Sequence, residues 1–178
     1  MAQRATVYRV DLTVSDLDRG VYSTHALTLA RHPSETEERL MVRLLAFALH
    51  ADDALEFGRG LSTEDEADLW QRDATGAIEL WIDVGLPAEK DIRKACGRAG
   101  KVVVLAYGAR RVEQWWSDNA AALSRLANLT VFTLTAAETE ALQALAARSM
   151  TLTCTVQDGH AWLASEHATV EVAPARRA

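Results

Sequence analysis

The segment Lys101–Tyr107 constrains the fold of this chain more than any other, because it is apolar throughout after its first residue. A continuous apolar run of this length is typical of a strand that is buried on both faces of its sheet. Helical patterns flank it at about Pro87–Ala99 and Arg111–Leu126, and a further strand pattern follows at Leu129–Leu134. Strands that alternate with helices in this way predict a partly parallel sheet.

Both ends of the chain carry patterns typical of antiparallel hairpins. Near the N-terminus, strand patterns at Thr6–Val14 and Val21–Ala30 flank a turn-rich segment. Near the C-terminus, Met150–Val156 and Ala161–Ala164 flank Asp158-Gly159, a dipeptide suited to a type I′ turn. The hairpins add antiparallel pieces to the parallel middle of the sheet.

A helix with a clear start signal follows the first hairpin. Ser34 is the predicted N-cap, Glu37 stands at the capping-box position, and the helix runs to about Asp52. A polar loop is predicted at Leu61–Asp68, and a fourth helix at Ala136–Arg148. We therefore predict one domain over residues 1–178, of the α/β (mixed α+β) class. Its mixed central sheet is flanked by helices and carries antiparallel hairpins at both termini.

Composition narrows the classes of function. The net charge of -6 argues against a broad electrostatic footprint on nucleic acid. It leaves room for a small metal-bearing cleft, because a metal ion supplies its own positive charge. No apolar run approaches the ~20 residues of a membrane span, and the N-terminus has no apolar signal core. We expect a cytoplasmic protein with no membrane association.

A central hairpin gathers the most informative side chains, with predicted strands Leu69–Arg72 and Ile78–Val84 and its tip at Thr75-Gly76. If the loop is closed symmetrically, paired residues have numbers that sum to 151 and their side chains share one sheet face. The predicted pairs are Asp68 with Asp83, Trp70 with Trp81 and Arg72 with Glu79. The aromatic pair and the charge pair are attractive, whereas two opposed aspartates are destabilising.

A divalent cation is one reason to keep two opposed aspartates, because carboxylates are the oxygen ligands that Mg²⁺ prefers. A metal-assisted hydrolysis site uses such carboxylates to lower the pKa of a bound water and to stabilise charge on a phosphate. The alternative is that Asp68 lies at the solvated mouth of the hairpin and caps a turn. Spacing alone leaves both interpretations open.

Longer motifs resemble a known family. They are the run from His32 to Arg39 (HPSETEER), the run from Glu66 to Trp70 (EADLW), the run from Leu80 to Pro87 (LWIDVGLP), Arg93-Lys94-Ala95-Cys96, Asn128-Leu129, Gln157-Asp158-Gly159 and Trp162-Leu163. These motifs resemble the YaeQ family over nearly the whole chain, to about Val172. That family is similar to the PD-(D/E)XK nuclease superfamily, so the resemblance implies a restriction-endonuclease-like core.

The resemblance also implies a set of site residues. Glu38 matches the helix glutamate of the superfamily, Asp68 the aspartate of PD and Asp83 the acid of (D/E)XK, and together they would hold Mg²⁺ or Mn²⁺. Gly85 stands where the lysine of the motif would be. Lys94, on the following helix, matches a basic position of the family and is the candidate to replace it, with Lys90 as second choice.

Glu35 and Glu37 compete with Glu38 for the role of helix carboxylate. Glu37 is explained by the capping box, and Glu35 can pair with Arg39 at four-residue spacing. The expected function is a divalent-metal-dependent phosphodiesterase, nuclease-like, with an unknown nucleic-acid substrate. The alternative is a catalytically degenerate nuclease fold that acts as a binding or regulatory module. A third hypothesis is a structural partner that assembles through the edge strands of its terminal hairpins.

Overall fold

The computed structural model describes residues 3–59 and 65–178, so the first part of the loop predicted at Leu61–Asp68 lies outside the described residues. The strands are β1 (Thr6–Asp16), β2 (Val21–Arg31), β3 (Leu55–Phe57), β4 (Leu69–Arg72), β5 (Ile78–Val84), β6 (Ala99–Ala106), β7 (Leu129–Thr133), β8 (Ser149–Gln157), β9 (His160–Ala164), β10 (Thr169–Val172) and β11 (Ala175–Arg176). The helices are α1 (Glu37–Leu49), α2 (Glu89–Arg98), α3 (Arg110–Leu123) and α4 (Ala136–Ala144). No helix in these ranges has the length and apolar character needed to cross a membrane.

The strands form two sheets. Sheet A has the order β10-β9-β8-β1-β2, and sheet B has the order β11-β7-β6-β5-β4-β3. The mixed α+β class is confirmed. The terminal hairpins do not extend the central sheet, because β1 pairs in parallel with β8 and thereby joins them into a sheet of their own. Sheet B contains the predicted parallel strands β5, β6 and β7.

Helix α1 packs between the two sheets. It contacts β1 and β2 of sheet A as well as β4 and β5 of sheet B. Every residue from Leu40 to Ala48 is buried, including Arg43. A helix that is buried all round needs apolar side chains on every face, which this one has apart from Arg43.

The start of α1 differs from the prediction. Its N-cap is Thr36, whose hydroxyl accepts a hydrogen bond from the Arg39 backbone N–H. The Ser34 hydroxyl instead bonds Nδ1 of His32 at 2.6 Å. Glu37 is therefore not part of a capping box and accepts a hydrogen bond from the Tyr8 hydroxyl. Both Ser34 and Thr36 are good caps, and the His32 contact decides between them.

Strand β6 is buried on both faces, as its apolar run predicts. Val103 and Leu105 belong to the core shared with α1 and sheet A. Val102 and Val104 belong to a second core, against α2 and α3. Sheet B thus lies between two helical layers, and the ends of its strands are the places where side chains can reach solvent.

Candidate functional site

The central hairpin brings Asp68 and Asp83 together. Leu69 pairs with Ile82 and Trp70 with Trp81, so the predicted register holds at the mouth of the hairpin. Asp68 itself lies just before β4. Its backbone N–H donates to Oδ1 of Asp83 at 3.3 Å, and its Oδ2 accepts from the Val84 N–H at 2.8 Å. Backbone hydrogen bonds therefore link Asp68 both to Asp83 and to the next residue, Val84.

The pairing predicted between Arg72 and Glu79 is wrong. Arg72 pairs with Ile78, because the register shifts between Gln71 and Arg72 and leaves Glu79 as the extra residue. The asymmetric tip is held by Asp73, which accepts from the N–H groups of Thr75 and Ala77. The shift lies on the tip side of the Trp70–Trp81 pair, so it does not disturb the aspartates.

The displaced side chains find other partners. Glu79 accepts a hydrogen bond from Gln71 at 3.2 Å. The Arg72 guanidinium stacks on the Trp70 ring, 4.0 Å from its centroid. Trp70 and Trp81 meet edge to face, with 5.8 Å between their centroids, which is the favourable geometry for an aromatic pair.

Arg39 is the cation that meets this aspartate pair. Its Nη2 lies 2.5 Å from Oδ1 of Asp68, and its Nη1 lies 3.1 Å from Oε1 of Glu35. The side chain of Arg39 is 15% exposed, so the bridge is largely withdrawn from water. The four-residue spacing predicts Arg39 only as a partner for Glu35. Its bond to Asp68 joins residues 29 positions apart, for which the sequence carries no local signal.

Asp83 is a carboxyl group with an unfavourable negative charge. Its Oδ2 accepts a hydrogen bond from Nε1 of Trp81 at 2.9 Å. Burial, followed by the neighbouring charge of Asp68, raises the pKa of Asp83 from its usual 3.8 to about 6. The hydrogen bonds and the charge of Arg39 act in the opposite direction but do not cancel these effects. The pair thus holds more negative charge than Arg39 neutralises.

The three glutamates at the start of α1 have separate places. Glu35 is buried and forms a two-pronged ion pair with Arg43, with bonds of 2.8 and 3.0 Å. This makes it a structural group. Glu38 lies half-buried in the first turn of α1. Burial is the main cause that raises the pKa of Tyr107 to about 12, and the charge of Glu38 adds to it.

The predicted triad is only partly assembled. Asp68 and Asp83 are adjacent, whereas Glu38 is on the neighbouring helix, and residues 3–59 and 65–178 contain no group of three or more His, Cys, Asp or Glu side chains at metal-binding spacing. Lys94 is not among the residues that line the cleft at this pair. It is 56% exposed, and its Nζ bonds Oδ1 of Asp65 at 2.5 Å. The assignment of these four residues to a metal site and its catalytic cation stays a prediction.

A cleft of about 320 Å³ opens at the aspartate pair. It is lined by Arg39, Glu66, Asp68, Trp81, Asp83, Val84, Gly85, Leu86, Pro87 and Asp91. Four of these side chains are acidic and one is basic. Gly85 follows β5 with a φ of +98°, a conformation that favours glycine, and its N–H bonds the Leu105 carbonyl. A larger cavity of about 790 Å³ lies beside β8, far poorer in ionisable groups.

The fold and the cleft together define a class of protein. It is a two-sheet α+β domain with an aspartate pair and an arginine at the end of a parallel strand. The chain belongs to the YaeQ family. The model of the family described as "YaeQ protein" matches residues 1–174. A YaeQ protein of Salmonella typhi, named as uncharacterized, is 45% identical over 172 residues, which are 97% of this chain and 95% of the relative. Its counterpart in Escherichia coli K12 is 44% identical over the same coverage.

Two solved structures share the fold. The crystal structure of the YaeQ protein from Xanthomonas axonopodis pv. citri has a TM-score of 0.95 at 54% identity, and the match covers 97% of this chain and 98% of that one. The YaeQ protein from Pseudomonas syringae has a TM-score of 0.89 at 34% identity, over 97% and 95% of the two chains.

Proposed function

We propose that this chain is a divalent-metal-dependent phosphodiesterase of the nuclease-like class, with its reaction site in the cleft at Asp68 and Asp83. The observation that carries the proposal is a cleft at two adjacent aspartates, where burial and then the charge of Asp68 raise the pKa of Asp83 to about 6. A strongly perturbed carboxyl in a cleft is a marker of functional sites. A cation between the two carboxylates would stabilise the ionised form of Asp83, which burial and the charge of Asp68 disfavour.

Asp68 and Asp83 match the oxygen-donor preference of Mg²⁺ and Mn²⁺. Both ions prefer carboxylate oxygens, and Mg²⁺ is commonly bound by one or two carboxylates with water and phosphate oxygens in its remaining positions. Asp68 and Asp83 would supply these two, and Glu38 would supply a third contact on the side of α1. Such an ion lowers the pKa of a bound water and neutralises charge on a phosphate.

Arg39 is better placed than Lys94 to contact the phosphate. It already lines the cleft, and its planar guanidinium can donate hydrogen bonds to two phosphate oxygens at once. When a phosphate enters, Arg39 would exchange its bond to Asp68 for one to the phosphate and keep its bond to Glu35. Lys94 would first have to leave Asp65. Donors aimed at developing charge commonly contribute 100-fold or more to rate.

A second candidate function rests on the same arginine. The Arg39–Asp68 ion pair partly neutralises the cleft within the chain itself, and Gly85 supplies no charge. A nuclease-like fold with this arrangement can serve as a binding or regulatory module without cleavage. The net charge of -6 also opposes a broad contact with nucleic acid.

Metal binding is the first test. We expect millimolar Mg²⁺ or Mn²⁺ to raise the Tm of the wild type at pH 7.5, and to leave the Tm of Asp68→Asn and Asp83→Asn unchanged. Glu79→Gln is the matched control, because it removes a carboxylate of the same strand that lies outside the cleft lining. If no divalent ion stabilises the wild type, the metal site is refuted.

Cleavage is the second test, on labelled single- and double-stranded DNA and RNA with either ion. The proposal expects Arg39→Gln to lose cleavage by 100-fold or more. The effect of Lys94→Ala tests the sequence-based assignment: a comparable loss with metal binding retained would transfer the role to Lys94. A wild type that binds the ion and cleaves none of these substrates would favour the binding module.

A further inference from the structure

Strand β2 leaves one long edge of sheet A open. It pairs with β1 through eleven residues, Val21–Arg31, and is the last strand on its side of the sheet. The other outer strands of the described residues are short: β10 has four residues, β3 three and β11 two. An open edge presents unpaired N–H and C=O groups that can pair with another strand.

The hydrogen bonds of β1 show which residues face the open edge. The N–H groups of Arg9 and Leu17 donate to carbonyls next to and within β8, so the odd residues of β1 direct their backbone groups toward β8. The even residues therefore face β2, where their partners are odd-numbered. The backbone groups of the remaining residues point outward. These residues are Tyr22, Thr24, Ala26, Thr28 and Ala30.

This edge lacks the features that normally prevent association. Soluble proteins protect edge strands with charged side chains, proline or bulges. The segment from Val21 to Ala30 contains no Asp, Glu, Lys, Arg or Pro. Its pairing with β1 continues without a register shift. The short outer strands β10, β3 and β11 each carry a charged residue, whereas the eleven residues of β2 include one, Arg31, at its end.

We propose that β2 is the dimer interface of this protein and pairs antiparallel with β2 of a second copy. The two-fold axis passes between the two copies of Ala26, the central residue of the strand. The pairs that exchange backbone hydrogen bonds are then Ala26 with Ala26, Thr24 with Thr28, and Tyr22 with Ala30. The strand is complementary to itself, as a two-fold interface requires. Each copy places a large residue against a small one at both ends.

The exposed apolar side chains support this occupant. The large hydrophobic residues that are exposed in the described chain are Val7, Leu17 and Tyr22, all in β1, β2 or the turn between them. Tyr22 is 68% exposed, and Val7 is the β1 neighbour of Ala30. In the dimer, Tyr22 of one copy would lie on Ala30 of the other and reach Val7. No like charges meet along the paired strands despite the net charge of -6.

Among residues 3–59 and 65–178, a hydrogen-bond partner on the open side of β2 is found only at the end of the strand near α1. The Ala30 carbonyl accepts a hydrogen bond from Nη2 of Arg43 at 3.1 Å. A carbonyl oxygen has two lone pairs and can accept a second bond. On the inner side, Val21, Ser23, His25 and Leu27 are half-buried and only Leu29 is buried. A second strand alongside would cover them.

Sedimentation equilibrium of the full chain tests the proposal. We expect a monomer–dimer equilibrium with a Kd in the roughly micromolar range, as for a small interface. Ala26→Pro should be monomeric, because it removes an outward N–H that β1 does not use. Thr24→Lys should weaken the dimer at least 10-fold by placing charge in the interface. Thr153→Lys is the matched control, since Thr153 is an exposed residue of β8 away from the edge.

Circular dichroism melting separates loss of the dimer from loss of the fold. A second measurement fixes the register: oxidised Ala26→Cys should form a disulfide-linked dimer, whereas Thr153→Cys and the wild type should not. A wild type that is monomeric at several hundred micromolar overturns the proposal. So does a dimer that Ala26→Pro and Thr24→Lys leave intact while both variants remain folded.

Discussion

Replacing Asp83 with asparagine should change how the free energy of unfolding depends on pH. In the unfolded chain this carboxyl loses its proton near its usual pKa of 3.8, whereas in the folded protein it keeps the proton up to about 6. Between these values the folded state binds more protons than the unfolded state, so the contribution of Asp83 to stability falls as pH rises. The ionised carboxylate is then a cost at neutral pH.

The magnitude follows from the two pKa values. Their difference corresponds to about 3 kcal/mol above pH 6, and solvent screening of a partly exposed group reduces this to about 1–3 kcal/mol. Asparagine cannot ionise. The stability of Asp83→Asn relative to the wild type should therefore rise by about 1–3 kcal/mol between pH 4 and pH 7.5. The imperfect hydrogen bonding of the amide to Trp81 and to the Asp68 N–H costs about 1 kcal/mol at both pH values and cancels in this comparison.

Urea unfolding followed by tryptophan fluorescence at pH 4, 6 and 7.5 measures this effect. Glu79→Gln, on the same strand, should track the wild type across the range. If the free energies of unfolding of Asp83→Asn and the wild type differ by the same amount from pH 4 to 7.5, the pKa of Asp83 is not raised by its burial beside Asp68. The metal site proposed on that basis would then lose its main support.

Two further predictions concern the frame around the cleft. Thr36→Ala should lower the free energy of unfolding by about 1 kcal/mol through loss of the N-cap. Ser34→Ala should lower it by less than half as much. The reverse order in urea titrations would indicate that Ser34 is the N-cap, as the sequence predicts. Gly58→Ala should strongly reduce the Tm, because its Cβ would lie 2.0 Å from the Ala67 carbonyl oxygen. Gly97→Ala, which meets no atom within 4 Å, should instead stabilise α2 by up to ~1 kcal/mol, and equal Tm values for the two variants would contradict this.

Local patterns were sufficient to predict much of the fold. The bounds of β4 and β5 agree with the prediction, because alternation and turn residues act over a few positions. The Asp158-Gly159 turn also forms as predicted, with φ of +52° and +75°. What could not be predicted is which distant strands become neighbours. The parallel pairing of β1 with β8 depends on contacts about 140 residues apart, since Arg9 faces Ser149.

The candidate site divides in the same way. Asp68 and Asp83 were found from hairpin spacing, and their proximity follows from a register that the Trp70–Trp81 pair fixes. Arg39 was missed as their partner because the ion pair depends on how α1 packs against sheet B. The bulge at the hairpin tip was missed because Asp73 organises a longer, asymmetric turn through bonds to Thr75 and Ala77 that strand alternation does not encode.

The backbone at Gly85 limits which single substitutions can alter this cleft. A side chain added there would meet no atom within 4 Å, so space is not the obstacle. The obstacle is the backbone φ of +98°, because this conformation strains residues other than glycine by about 1–3 kcal/mol. Substitution of Gly85 by lysine would therefore strain the backbone at the end of β5 and tend to turn that end away from Asp83. A positive charge near the aspartate pair is therefore more easily accommodated on the neighbouring helices than at the end of β5.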